Sequence, residues 1–371
     1  MKFSCEQQIL ARALSIVSRA VSVKTTIPVL KGILLIADNG ELKLSASNLD
    51  FSIEKNVDAV VEEPGSIIVS SRLFGDIIGK LPRETVNVEV LDTGVVKINT
   101  LNSEFRITGQ SPDEFPNVGE VKNVRAQLSF DKNMFAEMVR QTYFCASIDE
   151  SRGIIVGELL ELEDGVFTMV TIDGFRIAIA RERVTHEKNE SFVIPAKYLN
   201  EISKILLGSE NDEDIIITLT DKNAVILLEK TKIVVTLLAG QFVNYKNALP
   251  ADCTTEIVVD RNVLLDSVER ASLVSRDVKT RMIRLKIEKN LLTITSGSEE
   301  GKVKEEIIVN NKGDDIEIGF NSNYIMDALK AIDDDTIKMK FTEPVKPCVI
   351  CPLEGDSYEY IVLPVRLTSA D

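Results

Sequence analysis

The sequence predicts an α+β protein built from three like domains, and three observations predict it. The first is a block that recurs at near-constant spacing. Ser70–Leu81, Pro195–Leu206 and Asn321–Ile332 stand 125 (70 to 195) and 126 (195 to 321) residues apart. Each has a small residue second, apolar residues fourth and fifth, and an acid seventh. The second is another register with nearly the same offset. Ile9–Leu14, Met134–Val139 and Val263–Val268 align, each after a β-like run: Met1–Phe3, Gln127–Phe130 and Glu256–Val259. The third is a surplus of short β-like segments over helices, which is α+β patterning and not βαβ. The period is far too long for a solenoid.

Each repeat reads as strand, helix, several strands, second helix, more strands. Strands are expected at Ile33–Ile36, Glu41–Ser45, Val86–Leu91, Val95–Asn99, Phe167–Thr171, Ile215–Leu219, Ala224–Leu228, Ile233–Leu237, Leu291–Thr295 and Ile337–Phe341. They are rich in Val, Ile and Thr. The pairs Asn39-Gly40, Asp164-Gly165 and Asp173-Gly174 supply hairpin chemistry. Linkers are placed near Glu120–Arg125 and Leu249–Thr254, giving domains 1–122, 123–251 and 252–371. Each is long enough to bury a core.

Composition narrows the chemistry. No apolar run reaches the roughly 18 residues of a membrane span. The opening Met1–Glu6 does not read as a signal peptide, so a cytoplasmic protein is expected. The cysteines are sparse and odd in number (Cys5, Cys145, Cys253, Cys348, Cys351) and read as reduced thiols. Cys348 and Cys351 form a CxxC on a β-like run, where residues three apart face opposite ways, so no metal site is expected. The single histidine, His186, sits in a polar run and reads as a surface residue. Neither a GxxxxGK[ST] loop nor a GxGxxG after a strand is present. The runs Asp212–Asp214 and Asp333–Asp335 occupy equivalent helix-to-strand slots, filled by Arg83-Glu84 in the first copy, and read as solvated loops. A metal-dependent phosphoesterase using these acids, and a repeat scaffold binding only proteins, are the alternatives.

The net charge is −15, which by itself argues against nucleic acid. The helices read differently. Tyr198, Leu199, Ile202, Ile205 and Leu206 form an apolar stripe with Lys197 and Lys204 on the opposite face. Ile9, Leu10, Ala13, Leu14 and Val17 form another, with Arg12 and Arg19 turned away. Arg72 and Lys80, and Lys132 and Arg140, repeat the arrangement. In the third repeat Asp266 and Glu269 dilute Arg261 and Lys330. Paired cations on outward helix faces suggest a polyanion-facing surface with no base reading.

Four stretches then carry a family resemblance: Ala20–Leu30, Asp113–Asn117, Thr171–Ala178 and Tyr360–Leu367. The whole chain resembles the bacterial β sliding clamps, the processivity subunit of DNA polymerase III. The resemblance implies a DNA-clamp fold: a non-catalytic, head-to-tail homodimeric ring with helices lining the hole and sheets outside. It implies no cofactor and no metal. Partners would be double-stranded DNA without sequence preference, the polymerase III alpha subunit, the clamp loader and other clamp-binding-motif proteins. By similarity Lys24, Arg72, Lys197 and Lys204 face DNA, and Arg12 and Lys80 join them on the helix-face reading. A partner-peptide cleft maps to Ile155, Ile172, Gly174, Phe175, Arg176, Ile177, Val243, Ala248, Asn321, Tyr324, Val362, Leu363, Pro364, Val365 and Arg366. The dimer interface maps to Phe105 and Ile107 against Leu273 and Val274, with Glu299 and Glu300 beside them. Phe175 stands where relatives often carry histidine, and Glu104 and Asn247 where they often carry a basic residue. Thr368–Asp371 extends past the usual Arg-Leu end, towards the cleft mouth.

Overall fold

The computed structural model describes all residues except 23, 119–122, 187, 251, 276–280 and 368–371. Part of the first linker and the four-residue C-terminal extension therefore lie outside the described residues.

Six helices stand at the repeated positions: α1 (Gln7–Val17), α2 (Ser71–Lys80), α3 (Lys132–Thr142), α4 (Ala196–Leu207), α5 (Arg261–Ser272) and α6 (Ser322–Ala331). Side-chain caps set several starts. Asp131 accepts from Met134 N at 2.7 Å, Asp260 from Val263 N at 2.9 Å and Asn321 from Asn323 N at 3.0 Å. The helices bury one stripe each. In α4 Leu199, Ile202 and Leu206 have no exposed surface. In α1 the expected stripe loses Ile9, which is 40% exposed and borders a cavity of about 350 Å³. Gln7 is buried instead, and its amide donates to the Ile78 carbonyl at 2.7 Å.

Every repeat is two strand-helix-three-strand halves that exchange their first strands. Lys2–Glu6 precedes α1 but pairs with Thr85–Val90, which follows α2. Gly65–Ser70 precedes α2 but pairs with Gly32–Asp38, which follows α1. The same exchange joins Ala126–Phe130 to Ile215–Leu219 and Glu190–Pro195 to Gly157–Glu163 in the second repeat. It joins Thr255–Asp260 to Thr336–Phe341 and Ile316–Asn321 to Met282–Glu288 in the third. All strand pairs are antiparallel, so hairpin turns suffice for most connections.

Compactness follows the sheets rather than the repeats. One unit comprises Met1–Met134 with Lys204–Leu237, the other Phe135–Ser203 with Leu238–Asp371. The first holds a five-stranded sheet ending in Glu104–Thr108 and an eight-stranded sheet. The larger sheet is continuous because Thr231–Thr236 of the second repeat pairs with Phe51–Asp58 of the first. The second unit holds a nine-stranded sheet, continuous through Arg176–Arg183 and Tyr358–Val362, and a four-stranded sheet ending in Gly301–Ile308. All ten strands expected from the sequence are strands, with ends shifted by a few residues.

Buried chemistry is structural. Cys348 belongs to the core shared with α5 and α6, whereas Cys351 packs in a separate cluster with Val349 and Ile361. The two thiols thus point to opposite faces as expected, and burial pushes Cys348 up to about 12. Glu158, with no exposed surface, is the anomaly. It accepts from the Thr142 hydroxyl, its second oxygen has no partner, and burial pushes its carboxyl up to about 8.

Candidate functional site

The expected cleft residues gather at the turn between Val166–Ile172 and Arg176–Arg183. Asp173 organises it. Its carboxylate accepts from Phe175 N at 2.8 Å, Arg176 N at 3.0 Å and Arg176 Nε at 2.9 Å. Gly174 takes φ +90°, and a Cβ there would lie 2.8 Å from the Arg152 guanidinium. The conformation favours glycine, whereas the spatial conflict is only with the movable tip of the Arg152 side chain. Arg152 also donates to the Asp173 carbonyl.

Arg176 is the anchor of the polar edge. It pairs with Asp327 of α6 at 2.6 Å, donates to the Phe144 carbonyl at 3.2 Å, and lies 4.6 Å from the Tyr324 ring centre. Phe175, 55% exposed, stacks on Tyr324 with centroids 6.1 Å apart. The C-terminal segment lies alongside, since Leu363 N donates to the Phe175 carbonyl at 2.9 Å and Val365 N to the Gly319 carbonyl at 2.8 Å. Val362 is buried, Leu363 is exposed, and Pro364 and Val365 are half-buried, while Arg366 is exposed. Asn321 caps α6. Asp173, Asp327, Arg152 and Phe144 were missed by sequence reasoning. Only the Asp173-Gly174 turn pair and the acid at the seventh position of the repeated block, Asp327, signalled any of them.

The apolar floor comes from Ile172 and Ile177, packed with Ile154, Phe242 and Tyr245. Ile155 is half-buried beside Ile154, and Val243 and Ala248 are exposed on the segment that crosses this face. Equal registers show why this surface occurs once per chain. Val170, Ile172, Ile177 and Ile179 oppose one another as Val170–Ile179 and Ile172–Ile177. The same slots hold Ser45, Ser47, Ser52 and Glu54 in the first repeat and Thr295, Gly297, Lys302 and Lys304 in the third. Only the second repeat offers apolar walls here.

The helix-face cations divide. Arg72 is almost fully solvated on α2, and Lys80 is exposed in its last turn. Lys24 is exposed on the loop after α1, and Lys204 on α4. Arg12 pairs with Glu210 at 2.8 Å and Lys197 with Glu150 at 2.8 Å, both at exposed sites where such pairs are weak. Lys132 departs from the expectation. It is only 3% exposed, and its ammonium donates to the carbonyls of Ser209 and Asn211 just past the end of α4. Buried backbone carbonyls need a donor, and this lysine supplies one to the loop that follows α4. Arg140 is likewise held by Glu137 and Asp333, both at 2.5 Å. In the third repeat Lys330 pairs with Glu269 at 2.7 Å.

Of the expected interface residues, Phe105 and Ile107 lie on an edge strand, and the others lie in the loop after α5 or at the turn before another edge strand. Glu104–Thr108 and Gly301–Ile308 are each the last strand of their sheet. Phe105 is 39% exposed, while Ile107 is buried in its own domain. Leu273 is exposed after α5, Val274 is half-buried, and Glu299 and Glu300 are exposed at the turn before Gly301.

The acidic runs serve as loops. Asp333 receives Arg140, Asp334 accepts from the Tyr358 hydroxyl at 2.8 Å, and Asp212 lies 3.6 Å from Lys132. No cluster of three potential metal ligands occurs among the described residues. The phosphoesterase alternative has nothing to support it.

Comparison with known proteins agrees with this layout. Models of the DNA polymerase III beta subunit match in order: the N-terminal domain over 1–119, the central domain over 129–244 and the C-terminal domain over 246–366. The beta sliding clamp of Halalkalibacterium halodurans is 33% identical, covering 99% of this chain and 100% of its own, and that of Bacillus subtilis is 31% identical with the same coverage. Among solved structures, a putative DNA polymerase III beta subunit from Eubacterium rectale is 32% identical with a TM-score of 0.93, and the Bacillus subtilis sliding clamp is 29% identical with a TM-score of 0.94. Each covers 99% of this chain and 100% of its own. Family models across the length of the chain, full-length relatives and the shared fold lead to one conclusion: the chain belongs to the DNA polymerase III beta subunit family, the beta sliding clamps.

Proposed function

We propose that two copies of this chain close head to tail into a ring around duplex DNA and tether the replicative polymerase to it. As a sliding clamp, the chain is a processivity factor and not a catalyst. One observation carries the ring reading. Repeats join edge to edge twice within the chain, at Phe51–Asp58 with Thr231–Thr236 and at Arg176–Arg183 with Tyr358–Val362. The strands equivalent to these, Gly301–Ile308 and Glu104–Thr108, end their sheets. A second copy supplies the missing neighbour for each.

Lys24, Arg72, Lys80, Lys197, Lys204 and Arg12 face the DNA in this reading. Their solvated ammonium and guanidinium groups attract phosphates without fixing a register, so the ring can slide. The cleft around Ile172, Ile177, Phe175 and Leu363 takes a short apolar segment of the polymerase III alpha subunit, the clamp loader or another clamp-binding protein. The ring works where the chromosome is, in the cytoplasm. No helix among the described residues is long and apolar enough to cross a membrane.

The test is topological. The protein is loaded by a clamp loader onto nicked circular DNA, which is then linearised. Retention on the circle through high salt, with loss from the linear form, is expected. Equal retention on both forms would overturn the ring.

A further inference from the structure

The geometry points to a charge-inverted strand pairing between copies: Glu104 of one chain opposite Lys304 of the next. It rests on the two-copy ring proposed above and specifies which edges can meet and in which register.

The register follows from the chain's own seams. Counting inwards from the exchanged first strand, Phe3 pairs with Val88, Val88 with Ile98, and Ile98 with Phe105. The second repeat runs Leu128, Ile217, Ile226, Ile233. The third runs Ile257, Met339, Ile350, Tyr360. Phe105, Ile233 and Tyr360 are therefore equivalent. On the other side of each seam, Ile53, Ala178 and Val303 are equivalent, because Ala46, Thr171 and Ser296 oppose them in matching hairpins. Within the chain Ile233 opposes Ile53 and Tyr360 opposes Ala178. The third member of the series is Phe105 opposite the partner's Val303.

Two backbone bonds bracket both seams of the chain. At the first, Thr236 N donates to the Asp50 carbonyl at 2.8 Å and Asn56 N to the Lys230 carbonyl at 2.9 Å. At the second, Leu363 N donates to the Phe175 carbonyl at 2.9 Å and Arg181 N to the Ser357 carbonyl at 2.7 Å. The same counting assigns Thr108 N to the carbonyl of the partner's Glu300, and the N–H of the partner's Glu306 to the Asn102 carbonyl.

The side chains then distinguish this seam from the others. One residue along from the central pair, the first seam holds Glu54 opposite Lys232, with their charges 3.6 Å apart. The slot between copies holds Lys304 opposite Glu104, so the polarity is swapped. A Gly301–Ile308 edge that met Thr231–Thr236 would set Lys304 against Lys232. A Glu104–Thr108 edge that met Phe51–Asp58 would set Glu104 against Glu54. Like charges directly opposite on a sheet are unfavourable, so each wrong pairing is discouraged at this slot. The assigned register also sets Arg106 opposite the partner's Lys302, a like-charge pair on the same face that Glu104 flanks. In the separate chain Glu104 holds Lys97 and Arg106, at 3.3 and 2.9 Å, and Lys304 holds Glu306 at 2.5 Å. The ions needed are thus already on the edges.

Sedimentation analysis of dimer dissociation tests the pairing. Glu104→Lys is expected to weaken the dimer, and adding Lys304→Glu on the same chain to restore it. With two seams per ring the change is roughly two- to thirtyfold at low salt. Register is read separately by oxidation. In a Cys253→Ser background, Glu104→Cys combined with Lys304→Cys should cross-link copies better than the same change combined with Lys302→Cys or Glu306→Cys. A dimer that cross-links best at 302 or 306, or whose charge swap fails to restore affinity, overturns this pairing and leaves the ring intact. A wild-type chain that stays monomeric at micromolar concentration overturns the ring as well.

Discussion

Glu158 occupies the slot that Ile33 and Ile283 fill in the other repeats, as the matching pairs with Val69, Ile194 and Phe320 show. A carboxyl in a hydrocarbon slot keeps its proton, and the folded group titrates near 8 against 4.5 for an ordinary glutamate. Between those values the unfolded chain has released a proton that the folded chain still holds. Stability should therefore fall as pH rises through that window and level off above it, by up to about 1.4 kcal/mol per unit. Glu158→Gln should flatten the profile, read as urea midpoints from pH 4 to 9. Nothing local in the sequence flagged this residue, because an isolated Glu in Gly157–Glu163 looks like ordinary strand alternation. Lys132 was misread for a related reason. Helical periodicity assigns a face by counting, but it cannot see the carbonyls of Ser209 and Asn211, far along the chain, that lie over that face. Cys348 and Cys351 were legible because strand alternation alone decides where they point.

Elements were legible where they carry their own signal. Helix blocks repeat because each must bury a stripe, and Val-, Ile- and Thr-rich strands announce themselves. Gly301–Ile308 was not found, since it alternates lysine and glutamate, and Phe51–Asp58 is similarly polar in its second half. Such strands exist through their neighbours rather than their propensities. The proposed cleft comes only from resemblance, and the confinement of its apolar lining to the second repeat follows from side-chain identity at one hairpin. Ile172→Ser with Ile177→Ser would give the second repeat the character of the first. Binding of the polymerase III alpha subunit, measured by surface plasmon resonance, should weaken at least about tenfold. The dimer should be unaffected. The helix faces make a separate prediction. Arg72→Ala and Lys204→Ala should each lower the slope of log affinity for duplex DNA against log salt by up to about 0.9, while leaving cleft binding unchanged.

At the scale of the molecule, a net charge of −15 and a DNA-facing function coexist if the cations sit on helices and the acids elsewhere. Threefold repetition was readable from spacing alone. Sheet continuity across repeats was not, because it depends on which edges meet after folding. A fragment of residues 1–122 should self-associate through the uncovered Phe51–Asp58 edge, and 1–237, which covers that edge with Thr231–Thr236 but lacks Tyr358–Val362, should self-associate through Arg176–Arg183 instead. Light scattering of the two fragments decides this. The exchanged first strands set the order in which the chain can be made. Phe3 meets Val88 only after 85 further residues have been synthesised, and Ile53 waits for Ile233 across 180. A ribosome therefore releases repeats that mature one behind the next, each new one covering the raw margin of its predecessor. When translation stops, the margins still uncovered include the two that the proposed second copy covers, so in that reading assembly completes what synthesis began.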